Sequence, residues 1–294
     1  TWTYSMELDP GATSPATETS TGDTQSAQND DTKLTMTMPY GTVGVFISEG
    51  GLDLEDGASQ SVYARPTDIG DPSATVDNYT IDSYNNVQYH TPADLMPFGL
   101  TAKIAYAPDL DAYGSGNNAN ATITEGGAGF AGRSATEMQV KANPIDGLNI
   151  GASYMDFDKQ GAGTNKKNQE AESGAYMATY AMGNISAGYS KAYRANLISD
   201  NNGNSETVEY YDQSNVSIAY VVNDDLSVSY EREKSNANMI DDATDDVEQK
   251  STSYQLAYNM GGMTIALIRS GHDNNGYVDA ANTDQTVFAV TMAF

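Results

Sequence analysis

The last nine residues, Thr286–Phe294, limit most strictly what this chain can fold into. Bulky apolar side chains stand at every second position, and smaller ones lie between them. The bulky set is Phe288, Val290, Met292 and Phe294. A period of two predicts a β-strand with one bulky and one small face. In a transmembrane β-barrel the bulky face meets lipid and the small or polar face lines the lumen, so the pattern favours a barrel strand.

The same alternation recurs along the whole chain and predicts about fourteen strands. They cover residues 1–8, 32–38, 42–48, 83–90, 98–107, 133–142, 148–157, 173–182, 185–193, 213–222, 226–234, 249–258, 263–270 and 286–294. Short turns alternate with long polar loops, and Gly183-Asn184 has the composition of a tight hairpin turn. Loop lengths segregated in this way are typical of membrane barrels and not expected of a β-sandwich.

Composition restricts the function more than the fold. The net charge is −26, from 14 Lys and Arg against 40 Asp and Glu, and like charge repels nucleic acids. The acidity fits a surface adapted to salty surroundings, a pore field that favours cations, or both. The absence of Cys excludes disulfides and thiolate metal sites. The 20 Tyr residues suit the aromatic girdles of a membrane barrel but also a Tyr-rich soluble β-sandwich.

The segment Glu49–Asp82 differs from the other long connections because it combines acids with apolar residues. Its apolar anchors are Leu52, Leu54, Val62, Tyr63 and Ile69. A solvated loop needs no such anchors, whereas a loop folded into a barrel lumen needs them to pack against the wall. We therefore predict that this segment folds inward.

The residues around this segment resemble the general bacterial porins. Asn85-x-Val87-x-Tyr89-x-x-Pro92 is followed by Phe98-Gly99-Leu100 and by a strand that ends Tyr106-Ala107-Pro108, as in that family. The terminal strand, closing on an aromatic residue, resembles the family's assembly signal. The resemblance implies an all-β transmembrane antiparallel barrel with short periplasmic turns, long extracellular loops and one inward constriction loop. It also implies a homotrimer in the outer membrane of a Gram-negative bacterium.

The position of the inward segment departs from the family pattern. In the family this loop follows the fifth of sixteen strands, and here it follows the third predicted strand. We expect that residues 1–294 form a single barrel domain from which an N-terminal hairpin is missing, and that the complete protein has sixteen strands.

The resemblance also implies a constriction with acids on the loop facing bases on the wall. The loop acids are Glu49, Asp53, Glu55, Asp56, Asp68 and Asp71. Alternation places four bases on lumen-facing positions, namely Lys33, Lys103, Arg133 and Lys141. The field between the two sets would orient solutes and set ion preference. Arginine is the family's usual wall residue and only Arg133 is one, so we expect wide, weakly cation-selective passage.

The leading hypothesis is therefore a passive diffusion channel for small hydrophilic solutes and ions, with outer-membrane lipid and lipopolysaccharide as surroundings. A substrate-selective channel, a surface adhesin or receptor barrel, and a soluble acidic β-protein are the alternatives. No cofactor and no enzymatic activity are expected, since His90 and His272 stand apart from any nucleophile pattern. Three acidic runs could offer oxygen ligands to Ca²⁺: Asp109-Leu110-Asp111, Asp241-Asp242 with Asp245-Asp246, and Asp273-Asn274-Asn275.

Overall fold

The computed structural model describes residues 1–10, 27–69, 75–92, 95–108, 134–158, 169–196, 208–240 and 245–292. These residues form one antiparallel sheet of fourteen strands. The strands are β1 (Trp2–Pro10), β2 (Ala27–Met38), β3 (Gly41–Ile47), β4 (Asn86–His90), β5 (Thr101–Ala107), β6 (Ala135–Ile145), β7 (Leu148–Phe157), β8 (Glu172–Met182), β9 (Ile185–Ala195), β10 (Val208–Val221), β11 (Leu226–Met239), β12 (Val247–Met260), β13 (Met263–Asp273) and β14 (Thr283–Met292).

Each strand pairs with its neighbours in the chain, so the order in the sheet is the order in the sequence. The strands β1 and β14 are the two edges, and no pairing joins them within the described residues. The predicted all-β antiparallel fold is confirmed. The expectation of sixteen strands in the complete protein stays a prediction.

The two faces of the sheet are opposite in character, as the alternation predicts. On β12, Tyr254 is 62% exposed, whereas Gln255 beside it is only 4% exposed. The same holds across the sheet, where bulky apolar side chains point outward and stay exposed while polar residues point inward and are buried. The exposed set includes Tyr4, Leu34, Ile104, Met138, Tyr180, Ile218, Leu256, Leu267 and Phe288. A soluble sandwich would bury these groups, so the arrangement is that of a barrel wall whose outer face meets lipid.

Tight turns join the strands at one end of the sheet, and longer connections join them at the other. The turn at Asp146-Gly147 shows why one glycine is required, because Gly147 has φ +76° and a Cβ there would overlap the carbonyl oxygen of Ala181. The helical residues described are short 3-10 turns, and no helix among them is long and apolar enough to cross a membrane.

Several strand boundaries differ from the sequence prediction, for example those of β5, β6 and β10. Phe98 does not begin β5, because Pro97–Gly99 forms a 3-10 turn in which Phe98 has φ +61°, a left-handed conformation incompatible with a strand. The segment 143–147 is not all turn, since β6 continues past a bulge to Ile145. The loop predicted at 194–212 is shorter, because β10 already begins at Val208.

Candidate functional site

The inserted segment, residues 48–85, joins two strands that are direct neighbours. Val43 of β3 pairs with Tyr89 of β4, so the chain leaves the sheet and returns to the adjacent strand. The described parts of the segment are an outgoing leg, residues 48–69, and a returning leg, residues 75–85. Both legs lie against the inward face of the sheet, as their contacts show.

The outgoing leg is fastened to successive strands by wall side chains that donate to its backbone carbonyls. Gln139 of β6 donates to Leu52 O at 2.7 Å, and Ser190 of β9 donates to Glu55 O at 2.7 Å. Further along, Ser217 Oγ of β10 donates to Ala58 O at 2.7 Å and Gln285 of β14 donates to Ile69 O at 2.7 Å. The leg therefore crosses the inside of the sheet from β6 to β14.

The returning leg retraces this path nearer to the long-loop ends of the strands. Asn78 Nδ2 donates to Gly174 O of β8 at 3.3 Å, and Ser173 Oγ donates to Tyr79 O at 3.2 Å. The Glu137 carboxylate of β6 then accepts from Ile81 N at 2.8 Å and from Leu52 N at 3.3 Å. One buried wall carboxylate thus holds the start of the outgoing leg and the end of the returning leg.

Apolar contacts secure the same segment. Of the five predicted anchors, Leu52, Leu54 and Ile69 are 1–4% exposed, and Ile69 packs on Ala266 and Ile268 of β13. Val62 is half-buried, and Tyr63 remains 39% exposed. The anchors therefore fix the beginning and the far end of the outgoing leg, and its middle is held by polar groups.

An ionic cluster around the buried Glu233 holds that middle part. Arg65 pairs with Glu233 of β11 at 2.6 Å and also with Asp56 of its own segment. Thr67 Oγ1 donates to the second Glu233 oxygen at 2.8 Å. Desolvation disfavours the charged form of Arg65, but Glu233 and Asp56 outweigh it, so the pKa of Arg65 is raised and the guanidinium stays charged.

The two legs enclose an acidic cavity of about 350 Å³. Its lining residues are Asp53, Glu55, Asp56, Arg65, Thr67, Asp68, Thr75, Asp77, Asn78, Thr80 and Asp82. Four predicted loop acids, Asp53, Glu55, Asp56 and Asp68, are thus brought together. Glu49 is not among them, because it pairs with Lys33 at the base of the segment, and Asp71 lies outside the described residues.

The cavity carboxyl groups have unequal affinities for protons. Both oxygens of Glu55 accept from Asn78 N, at 2.9 and 2.8 Å, yet burial and the charges of Asp53 and Asp56 raise the pKa of Glu55 to about 9. Desolvation raises the pKa of Asp56 to about 6, although Arg65 pulls it downward. Glu55 is therefore mainly neutral at pH 7, whereas Asp56 is mainly ionised.

The described wall bases, Lys33, Lys103 and Lys141, lie on the inward face and do not line this cavity. Lys103 of β5 and Lys141 of β6 occupy the same face as the buried Ala105 and Glu137. Lys33 is neutralised by Glu49, and Arg133 lies outside the described residues. Neither Lys103 nor Lys141 lines the cavity, and Arg65 is the cation that does. The prediction that wall bases face the loop acids across the lumen stays a prediction.

Sequence reasoning missed the wall carboxylates Glu137, Glu231 and Glu233, which are all buried. Glu231 accepts from Ser59 Oγ at 2.7 Å and also from Ser61 Oγ. A signal was available, because alternation on β6 and β11 places these acids on the inward face. A carboxylate that is buried there needs hydrogen-bond or ionic partners. Their partners could not be read from the sequence.

The proposed metal and assembly residues are only partly described. No group of three or more metal-ligating side chains in the described residues could hold a metal ion, and Asp109, Asp111, Asp241 and Asp242 lie outside them. In the proposed assembly signal, Phe288, Val290 and Met292 are outward and 44–67% exposed. Phe294 is outside the described residues.

Comparison with known proteins shows the fold. No family model matches the chain, and no curated protein matches it in sequence. Among solved structures, the outer-membrane protein OmpT of Vibrio cholerae aligns over 90% of this chain and 77% of its own, with TM-score 0.53 and 14% identity. The outer-membrane channel DcaP of Acinetobacter baumannii aligns over 98% and 79%, with TM-score 0.55 and 11% identity.

An anion-selective porin from Comamonas acidovorans aligns over 91% of this chain and 76% of its own, with TM-score 0.54 and 11% identity. The chain therefore has the fold of the bacterial outer-membrane porins, as the resemblance implied.

Proposed function

We propose that this chain forms a water-filled, non-enzymatic channel in the outer membrane of a Gram-negative bacterium, through which small hydrophilic solutes and ions diffuse passively. The observation that carries the proposal is the inserted segment, which is fastened along the polar inward face of a sheet whose outer face is apolar and exposed. An apolar exterior suits hydrocarbon, and a polar interior suits water. The segment would narrow this aqueous path.

The residues that line the cavity favour cations. Six carboxyl groups face it, from Asp53, Glu55, Asp56, Asp68, Asp77 and Asp82, against the single guanidinium of Arg65. Carboxyl groups outnumber the guanidinium even with Glu55 protonated, and charged side chains at a constriction set ion preference. Because the fold is shared with a porin named as anion-selective, the sign of the preference depends on these side chains and not on the fold.

Reversal potentials under a KCl gradient, measured with the purified protein in a planar bilayer, test this proposal. We expect a cation-selective reversal potential that moves toward zero in the triple variant D53N/D56N/D68N. The matched control is D146N/D224N/D225N, which removes the same charge from exposed tight turns at the other end of the sheet. The control should keep a larger share of the cation preference than the cavity variant.

Two results would contradict the proposal. Absence of any ohmic conductance from correctly folded protein would favour the adhesin or receptor alternative over a channel. Equal reversal potentials in the two triple variants would remove the cavity acids from the ion path. The homotrimer belongs to the same proposal, and the mass of the detergent-solubilised protein, corrected for bound detergent, measures it directly.

A further inference from the structure

The inserted segment divides the inward face of the sheet into two zones of opposite charge. On β6 the inward side chains from the long-loop end to the tight-turn end include, in order, Glu137, Gln139 and Lys141. Glu137 and Gln139 bind the backbone of Leu52, and Lys141 lies beyond them toward the tight turn. The acidic cavity between the two legs is therefore on the long-loop side of Lys141. The inward face between the segment and the tight turns is here called the tight-turn zone.

Side chains in the tight-turn zone are mostly small and neutral. On β8–β14 the inward positions there include Thr179, Ala181, Ser186, Ala219, Ser227, Ala257, Asn259, Thr264 and Thr291. Among the described residues of this zone, the ionisable side chains are Lys103, Lys141 and His90. The zone is therefore basic, whereas the cavity on the other side of the segment is acidic.

The two lysines of the tight-turn zone are close together and unpaired. Lys103 of β5 pairs with Gln139, two residues from Lys141, and such diagonal neighbours are about 7–8 Å apart. Lys141 pairs in turn with Gly151 of β7, where a Cβ would lie 3.3 Å from Lys141 Cγ and 2.8 Å from Leu54 Cδ1. The Lys141 stem thus runs beside an apolar anchor of the segment. Within the described ranges, no carboxylate forms an ion pair with either lysine.

Opposite charges in series along a pore make its two directions of current unequal. Carboxylates concentrate cations in the acidic cavity, and ammonium groups concentrate anions in the tight-turn zone. A potential that is positive on the long-loop side drives both kinds of ion toward the junction between the zones, which fills with carriers. The reverse potential draws both kinds of ion away and depletes the junction. The first polarity therefore gives the larger current.

We infer that the pore rectifies, passing more current when the long-loop side is positive, with Lys103 and Lys141 as the anion-concentrating half of a charge junction. The inference rests on the proposed function, since it requires an aqueous ion path past both zones. It differs from the field across the constriction that the resemblance implies. In that arrangement acids and bases face each other at one depth, which does not distinguish the two directions of current.

The size of the effect depends on the salt concentration. Two ammonium groups about 6 Å from an ion raise the local anion concentration about three-fold at 0.1 M salt and hardly at all at 1 M, because the Debye length falls from about 10 Å to about 3 Å. Glu137 and Lys141 are four residues apart on β6, which is about 13 Å along the strand. This separation exceeds the Debye length at 0.1 M, so each zone keeps its own sign.

Single-channel currents at equal positive and negative potentials test the inference. In 0.1 M KCl we expect the ratio of the larger to the smaller current to be about 2 for the wild type and about 1 for K103Q/K141Q. The control K191Q/R232Q removes the same charge from the outward face of β9 and β11 and should keep the wild-type ratio. In 1 M KCl all three proteins should give symmetric currents of similar size, which verifies intact pores.

The orientation of the channel in the bilayer is assigned with D225C. Asp225 is exposed in a tight turn and the chain has no Cys, so a bulky maleimide reacts only from the chamber that the tight turns face. We expect the larger current when the opposite chamber is positive. The reverse polarity would overturn the inference.

Three further outcomes would overturn it. Equal wild-type currents at the two polarities in 0.1 M KCl would exclude a charge junction while leaving the channel intact, whereas the absence of any conductance would remove the proposed function as well. A ratio that survives in K103Q/K141Q, or that is lost equally in K191Q/R232Q, would show that the two inward lysines are not its source.

Discussion

At Gly188 the wall packs directly against the backbone of the inserted segment, and Gly188→Ala should disturb the channel there. A Cβ at this position would overlap the carbonyl oxygen of Ala58 and would stand 2.8 Å from Ser217 Oγ. The carbonyl would have to retreat by more than about 1 Å to restore an ordinary van der Waals contact. Since β9 is held in the sheet on both sides, the segment moves and the lumen narrows.

The energetic cost follows from the two hydrogen bonds at this point. Ser217 Oγ donates to Ala58 O at 2.7 Å and accepts from Gln60 N at 3.1 Å. Losing both hydrogen bonds lowers the free energy of unfolding by about 1–3 kcal/mol. Replacing glycine by alanine raises it by only about 0.4–1 kcal/mol, because the unfolded chain then has less conformational entropy. The loss prevails, so the segment is both displaced and loosened.

Single-channel conductance in planar bilayers measures this effect. We expect Gly188→Ala to lower the conductance and raise the open-channel current noise. Gly57→Ala is the control, because its Cβ would stand 3.4 Å from Leu54 O, within ordinary contact distance. If Gly188→Ala matches the wild type in conductance, noise and thermal stability, the close packing of the segment on β9 is refuted.

Three further predictions concern charge and the lipid-facing surface. Desolvation raises the pKa of Asp56 to about 6, so its carboxyl is mainly neutral at pH 5 and mainly ionised at pH 7. Cation preference, measured as the reversal potential, should therefore rise from pH 5 to pH 7, and it should rise less in D56N. Glu233→Gln should lower the free energy of unfolding by about 3 kcal/mol, because it removes the buried ionic partner of Arg65. Denaturant titration measures this; if the double variant with Arg65→Met lost the sum of the two single losses, the ion pair would not be their origin. Val290→Lys should destabilise the barrel in lipid by about 2–4 kcal/mol if it lies near the midplane, whereas Thr291→Lys, on the opposite face, should not; equal effects would show that the outward face does not meet hydrocarbon.

The strands were predictable because alternation is a local signal. Residues 148–157 were predicted as a strand, and β7 has those bounds. The prediction was wrong at Phe98 because alternation alone does not register a left-handed turn at Pro97–Gly99. The period of two also separated the inward Lys103 and Lys141 from the outward Ile104 and Val140.

The details of the acidic cavity were beyond such reasoning because they depend on distant partners. Arg65 and Glu233 are 168 residues apart in sequence, and neither carries a local mark of the other. The composition of residues 49–82 indicated an inward segment, but not that Glu55 would bind the backbone of Asn78 on the returning leg. The separation of Glu49 from the other acids likewise depends on its pairing with Lys33.

The contact between Ile69 and Gln285 has a consequence for how the protein assembles. Ile69 O accepts from a side chain 216 residues later, on the edge strand β14. This attachment requires the inserted segment and the edge strand β14 to be in place together. A cross-link between these two positions would therefore mark molecules in which the segment spans the inward face of the assembled sheet.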